Sequence, residues 1–368
     1  MDSQIENPSG DQNDLPPNVR LTVVFAARGH LSNLQKALEC LLLQTDASRT
    51  EFILTTDSPS LLQEVKSFVR SRRTFAKTLF LLDAVQDLPS ARLRAAAEAT
   101  SGLLAFAEDH CFQESNWAEE LLAVFDSSPQ IIAAAPLILN PNQDSAVSRA
   151  QFVLTHGMLE LGPCRNRIED CKKLPWHSTV YRRGIFMAAA GDVGLLQAES
   201  LLQEEIQVRN PDARFVRCTQ TSLRHVNMSR LVPAMRHAFH GGKIFGAERA
   251  KRHRWGWCSR LVRSLLFPQV GILKIWRCSP ILLDQKSLTR TLANFLAAFP
   301  LALFHALGEA VGTVFGKGLS AEFYTTFDCN RSSLLRSSKR DLLFSDIEQG
   351  QAEGRSQHFS AENFHPCK

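Results

Sequence analysis

The chain has 368 residues, of which 44% are hydrophobic and 21% charged, with a formal net charge of +5. That length and apolar content suffice for a sizeable core in one large or two smaller domains. Nine cysteines occur singly, without a CxxC pair or regular spacing, which excludes a disulfide scaffold and reads as reduced thiols of a cytosolic protein. Cys164 and Cys171 are near enough in sequence to bridge, but the same compartment logic argues against it. The positive charge is uneven. Arg236 to Arg263 is rich in Arg, Lys and His and has Glu248 as its only acid, a patch suited to nucleic acid, acidic lipid or a phosphorylated substrate.

In chain order, Met1 to Val19 is polar, lacks the apolar stretch of a secretory leader and is expected to be disordered. Leu21 to Ala27 is an apolar run led by β-branched residues, the pattern of a buried strand, and it ends at Arg28-Gly29-His30. Leucines at helical spacing follow through Gln44. Glu51 to Leu54 is a second strand, closed by Thr55-Thr56-Asp57. Pro59 is placed for a helix start, with the helix running to about Arg72. Thr78 to Leu82 is a third strand. Pro89 to Thr100 is an Ala-rich helix carrying Arg92 and Arg94. Leu103 to Ala107 is a fourth strand, Ser115 to Asp126 a helix and Gln130 to Leu139 a fifth strand. Such alternation predicts an α/β fold, a mostly parallel sheet with helices on both faces.

Asn140 to Lys173 reads as loops, and Leu174 to Tyr181 as a compact loop. Ala198 to Arg209 is helical and acidic at Glu199, Glu204 and Glu205. Phe215 to Thr219 reads as a last strand leading to His225. Met228 to Ala250 reads as helical, interrupted at Gly241-Gly242. Trp255 to Trp276 mixes Arg and Lys with Trp, Leu and Phe, as interfacial helices do. Leu292 to Phe315 is strongly apolar but holds Pro300, His305 and Glu309. The pattern is that of helices lying in or dipping into a membrane surface, with a buried helical appendage as the alternative. Lys317 to Lys368 reads as a mostly disordered tail.

Ligands of open α/β sheets bind beyond the carboxyl ends of the strands. Arg28, Asp57 and Glu108-Asp109-His110 each follow such an end. A carboxylate and an imidazole together at a strand end suit one hard divalent cation held over a phosphate. Asp57 has a second reading, as a helix N-cap before Pro59. Arg94 reads as a solvated helix charge.

These residues carry a resemblance. LTVVFAARGHLSNLQKALECLLLQ is similar to the opening strand and helix of the inverting family 2 glycosyltransferases of the GT-A fold. LTTDSPS resembles their second strand, and PSARLRAAAEATSGLLAFAEDHC resembles the segment that ends in their DxD motif, with Trp117 in keeping downstream. The DxD acids are replaced here by Glu108-Asp109-His110. The resemblance implies a nucleotide held by Ala26, Ala27, Arg28, Asp57, Arg92 and Glu108. It implies a divalent metal ion, Mn²⁺ or Mg²⁺, held by Asp109 and His110 and completed by His225, with the imidazole tilting preference toward Mn²⁺. LPWHSTVYRR resembles the acceptor-side loop and places His177 and Ser178 on the acceptor. AESLLQEEIQVRNPDARF resembles the helix of the catalytic acid. Glu199 falls where that base would lie, and Glu204 and Glu205 are rivals. Arg249 to Trp255 faintly resembles the arginine–tryptophan motif of processive members and otherwise reads as a basic phosphate- or lipid-facing patch.

The implied domains are a glycosyltransferase domain over 20–250, with a nucleotide-binding half at 20–139 and an acceptor half at 140–250, then a helical membrane-associated region over 251–316. The implied activity is transfer of a sugar from a nucleotide-diphosphate sugar to an acceptor hydroxyl with inversion. The acceptor is polyprenyl-linked or a saccharide, in polysaccharide or glycolipid assembly at the cytoplasmic face of the cell membrane. The rivals are a nucleotidyltransferase, which would need a glycine-rich phosphate loop after the first strand, and a non-catalytic nucleotide-sugar-binding or membrane-docking protein on the same fold. A nucleic-acid binder is a third rival, and the aromatics of the basic patch argue against it.

Overall fold

β1 (Leu21–Ala27) and β2 (Thr50–Thr56) are buried along their whole length, as parallel strands covered on both faces are. The computed structural model describes residues 19–72, 74–83, 87–157, 166–175, 178–191, 196, 198–284, 287–329 and 331. The chain forms two compact units, one of residues 1–139 and 164–224, the other of 140–163 and 225–368. This partition differs from the linear one expected from sequence. The helix Leu231–Arg252 belongs to the second unit, and so does the short segment after Leu139.

The first unit is an α/β structure. β3 (Lys77–Leu82), β2, β1 and β4 (Leu103–Ala107) are consecutive neighbours and all parallel. Pairing places Ala27 beside Thr56 and Phe25 beside Ala107, so the carboxyl ends of β2, β1 and β4 lie on one edge. β8 (Val180–Arg182) runs antiparallel between β4 and β6 (Ile131–Leu139). β9 (Arg214–His225) is parallel to β6, β7 (Ile168–Asp170) lines β9 antiparallel, and β5 (Cys111–Gln113) closes the order beside β9. The core joins Val24, Ile53, Leu104 and Phe106 of the parallel strands to Tyr181, Phe186, Leu202 and Phe215.

The β1–β4 strands and the helices between them follow the apolar pattern to within a few residues at each end. Ser58, not Asp57, caps the helix Pro59–Arg70, with its Oγ accepting from the Leu61 N–H at 3.2 Å. Three short elements depart from the pattern. The loop expected over 140–173 contains a helix (Ala146–Phe152) and β7, and the loop expected over 174–181 runs into β8.

The second unit is helical. Leu231–Arg252 runs unbroken through Gly241-Gly242, where an interruption was expected. The glycines serve packing instead. A Cβ on Gly242 would stand 2.0 Å from the His305 carbonyl oxygen, and one on Gly312 would stand 1.9 Å from that of Lys243. Gly242 and Gly246 on one helix, with Gly308 and Gly312 on Leu288–Phe315, thus bring the two backbones into contact, the close approach that paired small residues allow. Leu288–Phe315 continues through Pro300 and stops at Gly316, whose φ is +79°. Among the described residues it is one helix long and apolar enough to cross a membrane. Most of the expected tail, from residue 332, lies outside the described residues, as does the N-terminal segment through residue 18.

Candidate functional site

At the edge where β1 and β2 end, Arg28 and Asp57 meet. Arg28 Nε donates to Asp57 Oδ2 at 3.0 Å, and Nη2 lies 2.9 Å from the same oxygen. The parallel register makes these two residues neighbours, and the extended turn into Gly29, at φ +94°, frees the chain to leave the sheet there. Ala26 and Ala27 are buried in the last two positions of β1.

β4 delivers Glu108, Asp109 and His110, all buried. Arg92, also buried on the helix Leu88–Ala97, donates from Nη2 to Glu108 Oε1 at 2.6 Å. The other Glu108 oxygen lies 3.1 Å from His110 Nε2 and accepts from Cys111 Sγ at 3.6 Å. His110 Nδ1 is 2.7 Å from Asp109 Oδ1. The His110 ring thus stands between two carboxylates, which a proton on each ring nitrogen, or a metal ion on Nε2, would satisfy together.

The donor set fits a metal. Neighbouring oxygen and nitrogen ligands of an octahedral divalent ion lie about 3 Å apart, given bonds of about 2.1 Å. One ligand atom each from Glu108, His110 and Cys111 lies within 4.8 Å of the others. Asp109 stands where an outer carboxylate would fix the imidazole of a metal-bound histidine. The sequence pattern put Asp109 and His110 forward as ligands. The side chains bring His110 and Glu108 together and leave Asp109 behind the ring. Cys111 was missed, although it directly follows the ionisable run.

The other expected residues distribute as follows. His225 is the last residue of β9 and belongs to the second unit, where its ring lies edge-on to His156, with centroids 4.8 Å apart, and its Nε2 is 3.2 Å from Arg331 Nη1. Ser178 is buried at a positive φ of 55°, its Oγ accepting from Gln113 Nε2 at 2.7 Å and its carbonyl from Trp117 Nε1 at 3.2 Å. It therefore ties β5 to the helix Trp117–Ser127. His177 lies outside the described residues. Glu199 opens the helix Glu199–Arg209, where a carboxylate is favoured by the helix dipole. Glu204 and Glu205 are engaged on the surface, by Lys173 at 2.9 Å and Arg209 at 2.6 Å. The Tyr181 phenol is pushed well above its usual range, chiefly by burial and further by the charge of Glu199, against the pull of the Gln203 hydrogen bond. Arg94 pairs with Asp83 at the surface.

No family model matches the chain, and no curated protein matches it. Among solved structures, S. aureus TarS 1–349 in complex with UDP aligns at a TM-score of 0.45 and 11% identity, over 93% of this chain and 94% of that one. S. aureus TarS 1–349 aligns at a TM-score of 0.43 and 10% identity over the same shares. The longer S. aureus TarS structure aligns at 0.43 and 14% identity, over 79% of this chain and 55% of that one, so this chain spans about half its length. Likeness at these scores assigns no function.

Proposed function

We propose that this chain is an inverting, metal-dependent glycosyltransferase of the GT-A type that uses a nucleotide-diphosphate sugar. The observation that carries the reading is the convergence of Arg28, Asp57 and the Glu108–His110 run at the carboxyl ends of three adjacent parallel strands. Such a strand edge is where α/β sheets hold nucleotides.

In this reading Asp57 receives the base or ribose hydroxyls, and Arg28, held by Asp57, faces phosphate or base. Arg92 neutralises one side of Glu108. Glu108 and His110 would hold Mn²⁺ or Mg²⁺, with Asp109 fixing the imidazole. When bound, the ion supplies the charge that stabilises a diphosphate leaving group. Glu199 takes the proton of the acceptor hydroxyl, since it falls where the base of the resembled helix would lie and opens the helix Glu199–Arg209. The acceptor is a polyprenyl-linked or saccharide hydroxyl in polysaccharide or glycolipid assembly. The enzyme works attached peripherally to the cytoplasmic face of the membrane, and nucleic acid is not its partner.

The test is a thermal shift of the full chain with UDP or GDP, with and without Mn²⁺. Stabilisation by a nucleotide, larger with Mn²⁺, is expected, and no shift in any combination would sink the reading. Screening donors by released nucleoside diphosphate then identifies the sugar.

A further inference from the structure

The helix Trp257–Leu265 is amphipathic in the wrong sense for a soluble surface. None of its residues is buried. Trp257, Leu261, Val262 and Leu265 share one face by their spacing, and that face is turned outward, with Leu265 77% and Val262 63% exposed. Arg260 and Ser264 are turned inward and half-buried, while Arg263 stays exposed beside Trp255. Arg260 Nε donates to the Trp255 carbonyl at 2.9 Å, the Arg263 guanidinium lies 4.2 Å over the Trp255 ring, and Ser264 Oγ donates to the Ala310 carbonyl at 3.0 Å. A helix at a water-facing surface normally does the opposite.

The next helix, Phe267–Leu282, repeats the pattern with Ile272, Leu273 and Trp276 exposed, Trp276 at 69%. Leu288–Phe315 adds an exposed stripe of Leu288, Leu292, Leu296 and Phe299 at helical spacing. Contiguous apolar surface of this kind marks an interaction site. Its charge selects the partner. From Arg249 to Leu283 the chain has no Asp or Glu, and Lys251, Arg254, Arg263 and Arg277 are exposed. A second copy would set basic segment against basic segment. An anionic bilayer offers apolar depth to the leucines, an interface to the two tryptophans and compensating charge to the arginines.

We propose that the outward faces of Trp257–Leu265 and Phe267–Leu282 dock on an anionic phospholipid bilayer, with Trp257, Leu261, Leu265 and Trp276 entering the headgroup–acyl boundary. This docking rests on the peripheral attachment proposed above and is independent of the transfer chemistry.

The full chain is mixed with phosphatidylcholine vesicles and with vesicles containing 30% phosphatidylglycerol, at low and high salt, and pelleted. At least tenfold tighter binding to the anionic vesicles is expected, weakened by salt, with tryptophan emission quenched by brominated acyl chains. The double variant Leu261→Gln/Leu265→Gln is expected to lose at least tenfold in binding while keeping the melting temperature and the nucleotide-induced shift. Leu265→Glu, at the most exposed of these positions, is the second variant should the double one fold poorly. Equal binding to both vesicle types, or binding that survives both variants, overturns the proposal. So does a concentration-dependent dimer that these variants abolish, which would give the face to a second copy. Vesicle binding without any nucleotide shift would leave the docking standing and defeat the transferase reading alone.

Discussion

Arg28 and Asp57 sit just beyond the ends of two neighbouring parallel strands and close on each other at 2.9 Å. Both side chains remain about one-third exposed, at 34% and 30%. A pair so open to water contributes no more than about 1 kcal/mol to stability, so its place in the fold does not explain it. Asp57 does not cap the following helix either, since Ser58 does. Asp57→Asn is therefore expected to leave the melting temperature within a few degrees of the parent while weakening UDP or GDP binding about tenfold, the loss of roughly one charge-assisted hydrogen bond. Isothermal titration calorimetry reads the second quantity and a thermal melt the first. Unchanged nucleotide affinity would remove Asp57 from the site.

The Arg92–Glu108 pair lies at the other extreme. Both partners are buried, and they meet at 2.6 Å. Removing one leaves a buried charge uncompensated, at a typical cost of about 3–5 kcal/mol. Arg92→Met alone should lower the urea midpoint strongly, and Arg92→Met with Glu108→Gln should cost less than the sum of the two single changes. The double variant should also lose any Mn²⁺-dependent shift, because the carboxylate is gone. Strict additivity in urea would show that the two residues are not coupled.

Asp109 Oδ1 lies 2.7 Å from His110 Nδ1, the place of an outer carboxylate if His110 binds a metal through Nε2. Outer carboxylates of this kind typically matter about 10–100-fold in metal affinity. Asp109→Asn should weaken Mn²⁺ binding by that factor, measured by the free-Mn²⁺ electron paramagnetic resonance signal, whereas His110→Ala should abolish it. Equal losses in the two variants would make Asp109 a direct ligand. His225→Ala, assayed in the same way, tests the expectation drawn from the sequence for that residue.

Glu51 lies fully buried at the start of β2 and carries a stability dependence on acid. Burial by itself would raise its pKa. The Thr100 N–H at 2.8 Å, the Thr22 hydroxyl at 2.6 Å and Lys77 at 2.9 Å outweigh that and hold it below 4.5. A folded-state value below the unfolded one means that the contribution is present above about pH 4.5 and is lost as pH falls through the folded value. Glu51→Gln is expected to reduce stability at neutral pH and to flatten the fall below pH 4.5, seen in denaturant melts across pH 3–7. A variant with the parent's acid slope would contradict this.

Gly246 faces the Glu309 carbonyl so closely that an added Cβ would come within 2.1 Å of its oxygen. Two backbones in contact cannot yield as a flexible side chain does. Gly246→Ala should cost at least about 1–3 kcal/mol, the usual range for overpacking, although alanine is the better helix former. Gly256→Ala, where nothing lies within 4 Å of an added Cβ, is the control. Equal melting temperatures for the two variants would refute the close contact.

The sequence by itself determined the parallel half of the sheet and the edge proposed as the site. Apolar runs that stop abruptly at Arg28, Asp57 and Glu108 mark strand ends, because buried strands deliver polar groups only where they leave the core. Pairing order then brings those ends together, and pairing order is itself constrained by short connections. The same local logic found the long helices. It could not find β8 or β5, of three residues each, whose existence depends on partners distant in sequence. It read Gly241-Gly242 as a break because glycine is a poor helix former, and only the opposing helix reveals why a side chain is excluded there. It put Asp109 and His110 forward as metal ligands and Glu108 on the nucleotide. Side-chain rotation decided that Glu108 and His110 face each other and that Asp109 stands behind the ring. The orientation of Trp257–Leu265 was likewise undetermined in one dimension. A helical period states that an apolar face exists, and only packing states which way that face is turned.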